Sequence, residues 1–228
     1  MKAVEAEIWP VVLCYSETKR RDKRMRSLMR WLKRQVGRAS GQSMVEFLVV
    51  LPILLIMISG LIEFGFLLNY YLDLIDGARD GARFGANVDP LLIDDHVNDC
   101  VNTTWLYRLV PCVVMQSLAP QVVLDPTSDD IVISAFSVAG GLVTARFPDA
   151  DGWSLSGNHV SEFTTAEIDA LLDPAAPNTG VVMVEVFYDY SMVMALPWIT
   201  AFVPNPVVLH AYTIMPNTYV EPTPPPSP

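Results

Sequence analysis

The hydrophobic pattern begins with one long apolar stretch. Residues 44–68 are almost entirely apolar, and Phe47–Ile62 contains sixteen residues without a charge, bracketed by Glu46 and Glu63. At ~1.5 Å per residue, this stretch is long enough to cross a hydrocarbon core ~30 Å thick. The pattern predicts a transmembrane helix over residues 42–68, with the two glutamates near the two interfaces.

Helical spacing continues after the apolar stretch. Leu72, Ile75, Arg79 and Arg83 recur at a spacing of three or four residues, which predicts that the helix extends to about residue 86 as a stalk. Asp89-Pro90 resembles an N-cap followed by proline at the first helical position, and predicts a second helix. One face of that helix would carry Val97, Val101, Trp105 and Leu109.

Three glycines on the stalk, Gly77, Gly81 and Gly85, lie four residues apart. Such a stripe weakens an isolated helix but lets another backbone approach closely. It predicts packing against another helix or against the domain that follows.

Beyond Pro111 the pattern changes to short β-rich runs separated by Pro, Gly and Asp. Gly140-Gly141 predicts a two-residue hairpin. Residues 148–180 are polar and predict a surface excursion suited to partner contact, with a short helix opened by the capping box Thr164–Glu167. The predicted antiparallel strands are Ile131–Val138, Leu142–Phe147, Val181–Met194 and Val207–Met215.

The predicted fold class is therefore α+β: a long transmembrane helix continuing into a helical stalk, followed by an antiparallel β-rich exported head. The predicted domains are a basic leader (1–41), the transmembrane helix (42–68), the stalk (69–110), the head (111–220) and a disordered Pro-rich tail (221–228).

The charge distribution sets the orientation. Residues 1–41 hold eleven Lys or Arg against four acids, a balance of +7, whereas the remaining four basic and 21 acidic residues leave −17. A basic segment before an apolar helix predicts a cytoplasmic N-terminus and an exported C-terminal domain in the inner membrane. Anionic lipid is the expected neighbour of the basic cluster, and no nucleic-acid partner is expected, because no recognised fold or aromatic interleaving accompanies it.

Two local patterns carry a resemblance to a family. Glu46 lies five residues after Gly41 at the entrance of the apolar helix, and Glu63 opens the run EFG. That run is followed at positions 76–86 by DGARDGARFGA. Together these patterns resemble the TadE-like family, pilin-like minor components of the tight-adherence (Tad) pilus related to type IV pilins.

The resemblance implies processing and assembly. A prepilin peptidase would cut between Gly41 and Gln42, so that Glu46 becomes the fifth residue of the mature chain and neutralises the terminal amine of a neighbouring subunit. The leader is longer than many prepilin leaders, and Met25 or Met29 is an alternative start that preserves the orientation. The residues assigned to assembly are Glu46, Phe47, Glu63, Arg79 and Arg83, and the partners are the peptidase, other pilin-like subunits, pilus assembly proteins and membrane lipid.

Catalytic signatures are not evident. The three histidines, His96, His159 and His210, are far apart in sequence, and no Cys-x-x-Cys, P-loop, dinucleotide fingerprint or Gly-x-Ser-x-Gly occurs. We therefore expect no metal, no cofactor and no enzyme activity. An oxidising compartment favours a Cys100–Cys112 disulfide, with two buried free thiols as the alternative.

The sequence thus predicts a pilin-like subunit that acts in pilus assembly or adhesion, with its helix retained in the membrane or incorporated in an extracellular pilus. The alternative is an uncleaved single-pass envelope protein whose acidic exported domain binds a ligand or another protein.

Overall fold

The computed structural model describes residues 42–92, 100, 103–173 and 178–220. The leader, residues 93–99 with His96 and Val97, Val101 and the Pro-rich tail lie outside these residues. The chain divides into two compact units, Met1–Ile58 and Ser59–Pro228. The second is called the C-terminal unit below.

The described part of the first unit is helical. It forms the beginning of α1 (Gln42–Gly85), which includes Pro52. Side chains from Ser43 to Val50 are exposed, and α1 is long and apolar enough to cross a membrane. The helix predicted from the apolar stretch and its extension is confirmed.

The C-terminal unit joins the rest of α1 to an antiparallel sheet. The elements after α1 are α2 (Leu106–Leu118), β1 (Asp130–Ala139), β2 (Leu142–Phe147), β3 (Trp153–Ser154), α3 (Thr165–Leu171), β4 (Thr179–Tyr190), α4 (Pro197–Thr200), β5 (Val207–Asn217) and a 3₁₀ turn, Thr218–Val220. The strand order is β2-β1-β4-β5, and β3 pairs with β1. The predicted α+β class, a long apolar helix followed by an antiparallel sheet, is confirmed.

Two of the local turn and cap predictions are also confirmed. Gly140 and Gly141 both have positive φ, +60° and +76°, as a tight hairpin between β1 and β2 requires. The side chains and backbones of Thr164 and Glu167 form the reciprocal capping box that opens α3.

The prediction of a helix starting at Asp89-Pro90 is wrong. The Asp89 carboxylate accepts a hydrogen bond from the Leu91 backbone N–H at 2.9 Å, and this part of the chain forms a turn. Helix α2 starts instead at Leu106 and continues through Pro111, which we expected to end the helical region. The loss of one backbone hydrogen bond at proline is offset by the apolar face that α2 buries.

That face packs on the glycine stripe of α1. A Cβ added to Gly77 would lie 2.8 Å from Leu118, and one added to Gly85 would lie 3.1 Å from Val110; at Gly81 the clash, with Val114, would be closer still. The close approach predicted from the stripe is confirmed, and the partner is a helix of the same chain.

The two central strands, β1 and β4, are buried on both faces. Along β4, Val182 and Val184 face the α1–α2 layer, whereas Val181 and Met183 face a second cluster that contains Ile168 of α3. A central strand covered on two sides carries apolar residues on both faces, which explains the continuous apolar run Val181–Val184 in its sequence. The α1 residues in the first cluster are Leu74, Ala78 and Ala82, all fully buried.

Candidate functional site on the N-terminal helix

The most enclosed charged group on α1 is Glu63. Its side chain is 4% exposed, although α1 is apolar on either side of it. One carboxylate oxygen accepts hydrogen bonds from the Tyr190 hydroxyl at 2.8 Å and from the Val193 backbone N–H at 2.9 Å, and the other accepts from the Met194 N–H at 2.8 Å. We call this set the glutamate site.

The local fold of β4 creates the glutamate site. The strand ends at Tyr190, and the prediction that it continues to Met194 is wrong. The apolar pattern does continue, but the N–H groups of Val193 and Met194 bind the Glu63 carboxylate instead of a neighbouring strand. Since an unpaired buried carboxylate is costly, donors of this kind make the burial of Glu63 tolerable.

Tyr190 contacts α1 through both its hydroxyl group and its ring. Its hydroxyl donates to Glu63, and its ring lies 5.2 Å from the ring of Tyr70 on α1. Burial, followed by the hydrogen bond to Glu63 and the charge of that carboxylate, raises the pKa of Tyr190 above its ordinary value. The tyrosine therefore remains a neutral donor at physiological pH.

A second contact lies one helical turn before Glu63. The indole Nε1 of Trp198, on α4, donates to the hydroxyl oxygen of Ser59 at 3.0 Å. Ser59 is buried at the start of the C-terminal unit. Two points on α1 thus hold the segment between β4 and β5.

The predicted processing and assembly residues are divided between the start of α1 and the C-terminal unit. Gly41 lies outside the described residues, and Gln42 is the first residue of α1. Glu46 and Phe47 have exposed side chains near that end of the helix. Glu63, in contrast, is engaged within the C-terminal unit, a role that the sequence did not indicate.

Arg79 and Arg83 lie on the exposed side of α1. Arg79 forms an ion pair with Asp76 at 2.9 Å. Asp80, three residues before Arg83, accepts a hydrogen bond from Ser117 of α2 at 2.7 Å. The side chain of Arg83 lines an open groove between α1 and α2, with Asp80, Phe84, Asn87, Val113, Gln116 and Ser117.

Sequence reasoning missed a polar cluster on the opposite side of the sheet. Glu185 of β4 is fully buried and lies 3.1 Å from Nε2 of His210, whose Nδ1 lies 3.0 Å from Glu162. Glu185 also accepts from Ser161. These contacts join the excursion between β2 and β4 to the sheet, and within the described residues no cluster of His, Cys, Asp or Glu has an arrangement that would hold a metal ion.

Cys100 and Cys112 form a disulfide, with their Cα atoms 5.9 Å apart. Cys112 lies on α2, directly after Pro111. The bond ties the chain before α2 to the helix that packs on the glycine stripe.

Comparison with known proteins finds one relationship. Residues 41–83 match the family model described as TadE-like protein, and no curated protein or solved structure matches the chain. The matched segment contains Glu46, Glu63, Arg79 and Arg83, the residues on which the resemblance was based. The resemblance is therefore confirmed: residues 41–83 of this chain are similar to the TadE-like family.

Proposed function

We propose that this protein is a pilin-like subunit that acts in assembly of a Tad or type IV-like pilus, or in adhesion by it. A prepilin peptidase removes the leader after Gly41, with the basic N-terminal segment in the cytoplasm and the C-terminal unit exported. The helix anchors the subunit in the inner membrane before it joins a pilus.

The observation that carries this proposal is the family match over residues 41–83 on a helix whose apolar side chains are exposed. A core helix of a folded domain buries its apolar side chains within that domain. This one leaves Phe47, Val49 and Met57 more than half exposed, and so presents a surface for lipid or for the helices of other subunits.

Glu46 supplies the specificity of assembly. A carboxylate near the entrance of a membrane helix costs free energy unless a positive group neutralises it. After cleavage, the amine of a neighbouring chain beginning at Gln42 provides that group. A pair between this amine and Glu46 favours docking in one register, even where it adds little net stability.

The glutamate site couples the helix to the rest of the subunit. Three hydrogen bonds to Glu63, together with the Trp198–Ser59 contact, attach the end of β4 and the segment after it to α1. These contacts hold the part of α1 from Ser59 onward against the rest of the C-terminal unit.

Genetic complementation tests the proposal. Cells that carry the pilus machinery but lack this protein should lose sheared surface pili or surface attachment, and the wild-type gene should restore them. Glu46→Gln should fail to restore them at equal membrane abundance. Asp73→Asn, the same chemical change elsewhere on α1, should restore them.

Full complementation by Glu46→Gln would contradict the assembly role of Glu46. If the deletion strain also retained normal pili and attachment, the alternative of an unprocessed envelope protein that binds a ligand or another protein would replace the proposal.

A further inference from the structure

The segment between β4 and β5, residues 191–206, is an exposed apolar loop of the C-terminal unit. It contains no charged residue. We call it the apolar loop. Its exposed large side chains are Val193, Met194, Trp198, Phe202 and Val203, and Phe202 is 88% exposed.

We propose that the apolar loop is a second membrane contact, which inserts into the outer leaflet of the bilayer that α1 spans. The occupant of this surface is lipid, and the proposal rests on the membrane anchoring given under the proposed function. The C-terminal unit would then be held at the membrane surface by two contacts, α1 and the apolar loop.

The apolar loop is attached to α1 near the end of the uncharged run. Trp198 is hydrogen-bonded to Ser59, and the backbone of Val193 and Met194 is hydrogen-bonded to Glu63. These contacts hold the loop at the first two turns of α1 within the C-terminal unit, where the chain arrives from Ile58 and the uncharged run ends.

The length of the membrane span also places the end of the span near Ser59 and Glu63. Twenty residues, from Ser43 to Ile62, cover ~30 Å, so a span that starts with α1 leaves the hydrocarbon at about Glu63. A span that continues to Leu68 would place Ser59 and Glu63 within the bilayer. With either boundary, a loop bound to these two residues meets lipid.

The residues of the apolar loop suit the boundary between the hydrocarbon and the lipid head groups. Tryptophan and tyrosine side chains concentrate where the hydrocarbon meets the head groups, because their rings are apolar and their polar atoms need a partner. The Trp198 indole N–H already has one in Ser59, and Phe202 has no polar atom to satisfy. Since the loop carries no basic residue, its insertion should not require anionic lipid.

Spin labelling of the full-length protein in nanodiscs of phosphatidylcholine tests this inference. In a Cys14→Ser background that keeps the Cys100–Cys112 disulfide, a nitroxide is attached at Phe202→Cys. Leu55→Cys serves as the reference within the span. Val160→Cys, 60% exposed in another loop of the C-terminal unit, is the matched aqueous reference.

Collision rates with oxygen and with a water-soluble nickel chelate report the surroundings of each label. The label at residue 202 should resemble that at residue 55, with collisions with nickel several-fold fewer than at residue 160 and frequent collisions with oxygen. The same result is expected when part of the phosphatidylcholine is replaced by anionic lipid.

Three results would overturn the inference in distinguishable ways. If residue 202 behaves like residue 160 while residue 55 is in lipid, the loop does not insert but the anchor stands. If residue 202 is shielded from both reagents, a second copy of the chain covers the loop. If residue 55 is itself open to nickel, the membrane anchoring fails and the insertion fails with it.

Discussion

The hydroxyl of Tyr190 donates a 2.8 Å hydrogen bond to the carboxylate of Glu63, 127 residues earlier in the chain. This contact joins the end of the central strand to the helix that carries the TadE-like match. Because Glu63 is buried, the loss of one of its donors leaves a charge less well satisfied.

Tyr190→Phe should therefore destabilise the protein. The loss of a hydrogen bond to a charged group corresponds to ~1.5–3 kcal/mol, and each kcal/mol lowers the melting temperature of a unit this large by ~2–4 °C. Thermal unfolding of the detergent-solubilised protein, followed by circular dichroism, measures the change.

Tyr107→Phe is the matched control. Tyr107 is also buried, but its hydroxyl has no hydrogen-bond partner among the described residues. The variant should melt at or above the wild-type temperature, since it removes an unpaired polar group. An equal loss of stability in both variants would show that the hydrogen bond to Glu63 does not explain the effect.

The same tyrosine gives a prediction at alkaline pH. Because the folded state raises the pKa of Tyr190 above its ordinary value of 10.0, the unfolded state ionises first as the pH rises. The stabilisation is complete below pH 10.0 and is lost progressively above it. From about pH 9 to about pH 11, the melting temperature of the wild type should fall more steeply than that of Tyr190→Phe. Parallel curves would contradict the role assigned to this hydroxyl.

The long helix, the β1–β2 hairpin and the capping box of α3 could be predicted from the sequence because each depends on neighbouring residues. Hydrophobic periodicity, Gly140-Gly141 and the spacing of Thr164 and Glu167 are local signals. The Gly77–Gly85 stripe predicted a close approach but did not identify the partner.

Features that depend on distant partners could not be predicted. The apolar pattern after Tyr190 is suited to a strand, and only the carboxylate of Glu63, far away in sequence, explains why the strand stops. Likewise, the Asp89 side chain, which the sequence suggested would cap a helix, accepts a hydrogen bond within a turn. Pro111 is tolerated inside α2 because α2 packs on the glycine stripe. The pairing of His210 with Glu185 and Glu162 arises from strand register, which no single motif encodes.

Gly81→Ala tests the contact between α1 and α2. The added methyl group would overlap Val114, and overpacking of this kind costs ~1–3 kcal/mol, more than the helix propensity that alanine gains. Gly65→Ala, on the same helix with nothing within 4 Å of the added Cβ, should leave the melting temperature unchanged or raise it slightly. Equal behaviour of the two variants in thermal unfolding would argue against close packing at Gly81.

Asn217→Asp tests the end of α1. The Asn217 side chain is buried, and its amide nitrogen donates to the carbonyl oxygens of Gly85 and Val88 at 2.8 and 2.9 Å. A carboxylate cannot donate, so the substitution should cost at least ~1–3 kcal/mol, measured as a lower melting temperature.

The matched control for that variant is Asn178→Asp. Asn178 uses its oxygen to accept from the Gly140 N–H, a role that a carboxylate retains. It should therefore melt close to the wild type. A larger loss of stability from Asn178→Asp than from Asn217→Asp would contradict this assignment of donors.

The N-terminus of the mature protein tests the proposed function most directly. The full-length protein is produced in cells with and without an active prepilin peptidase, extracted from membranes, and analysed by intact mass and N-terminal sequencing. The account predicts a chain beginning at Gln42 when the peptidase is active, and an uncut leader when the peptidase is absent or Gly41 is replaced. A leader that remains intact in cells with an active peptidase would contradict it.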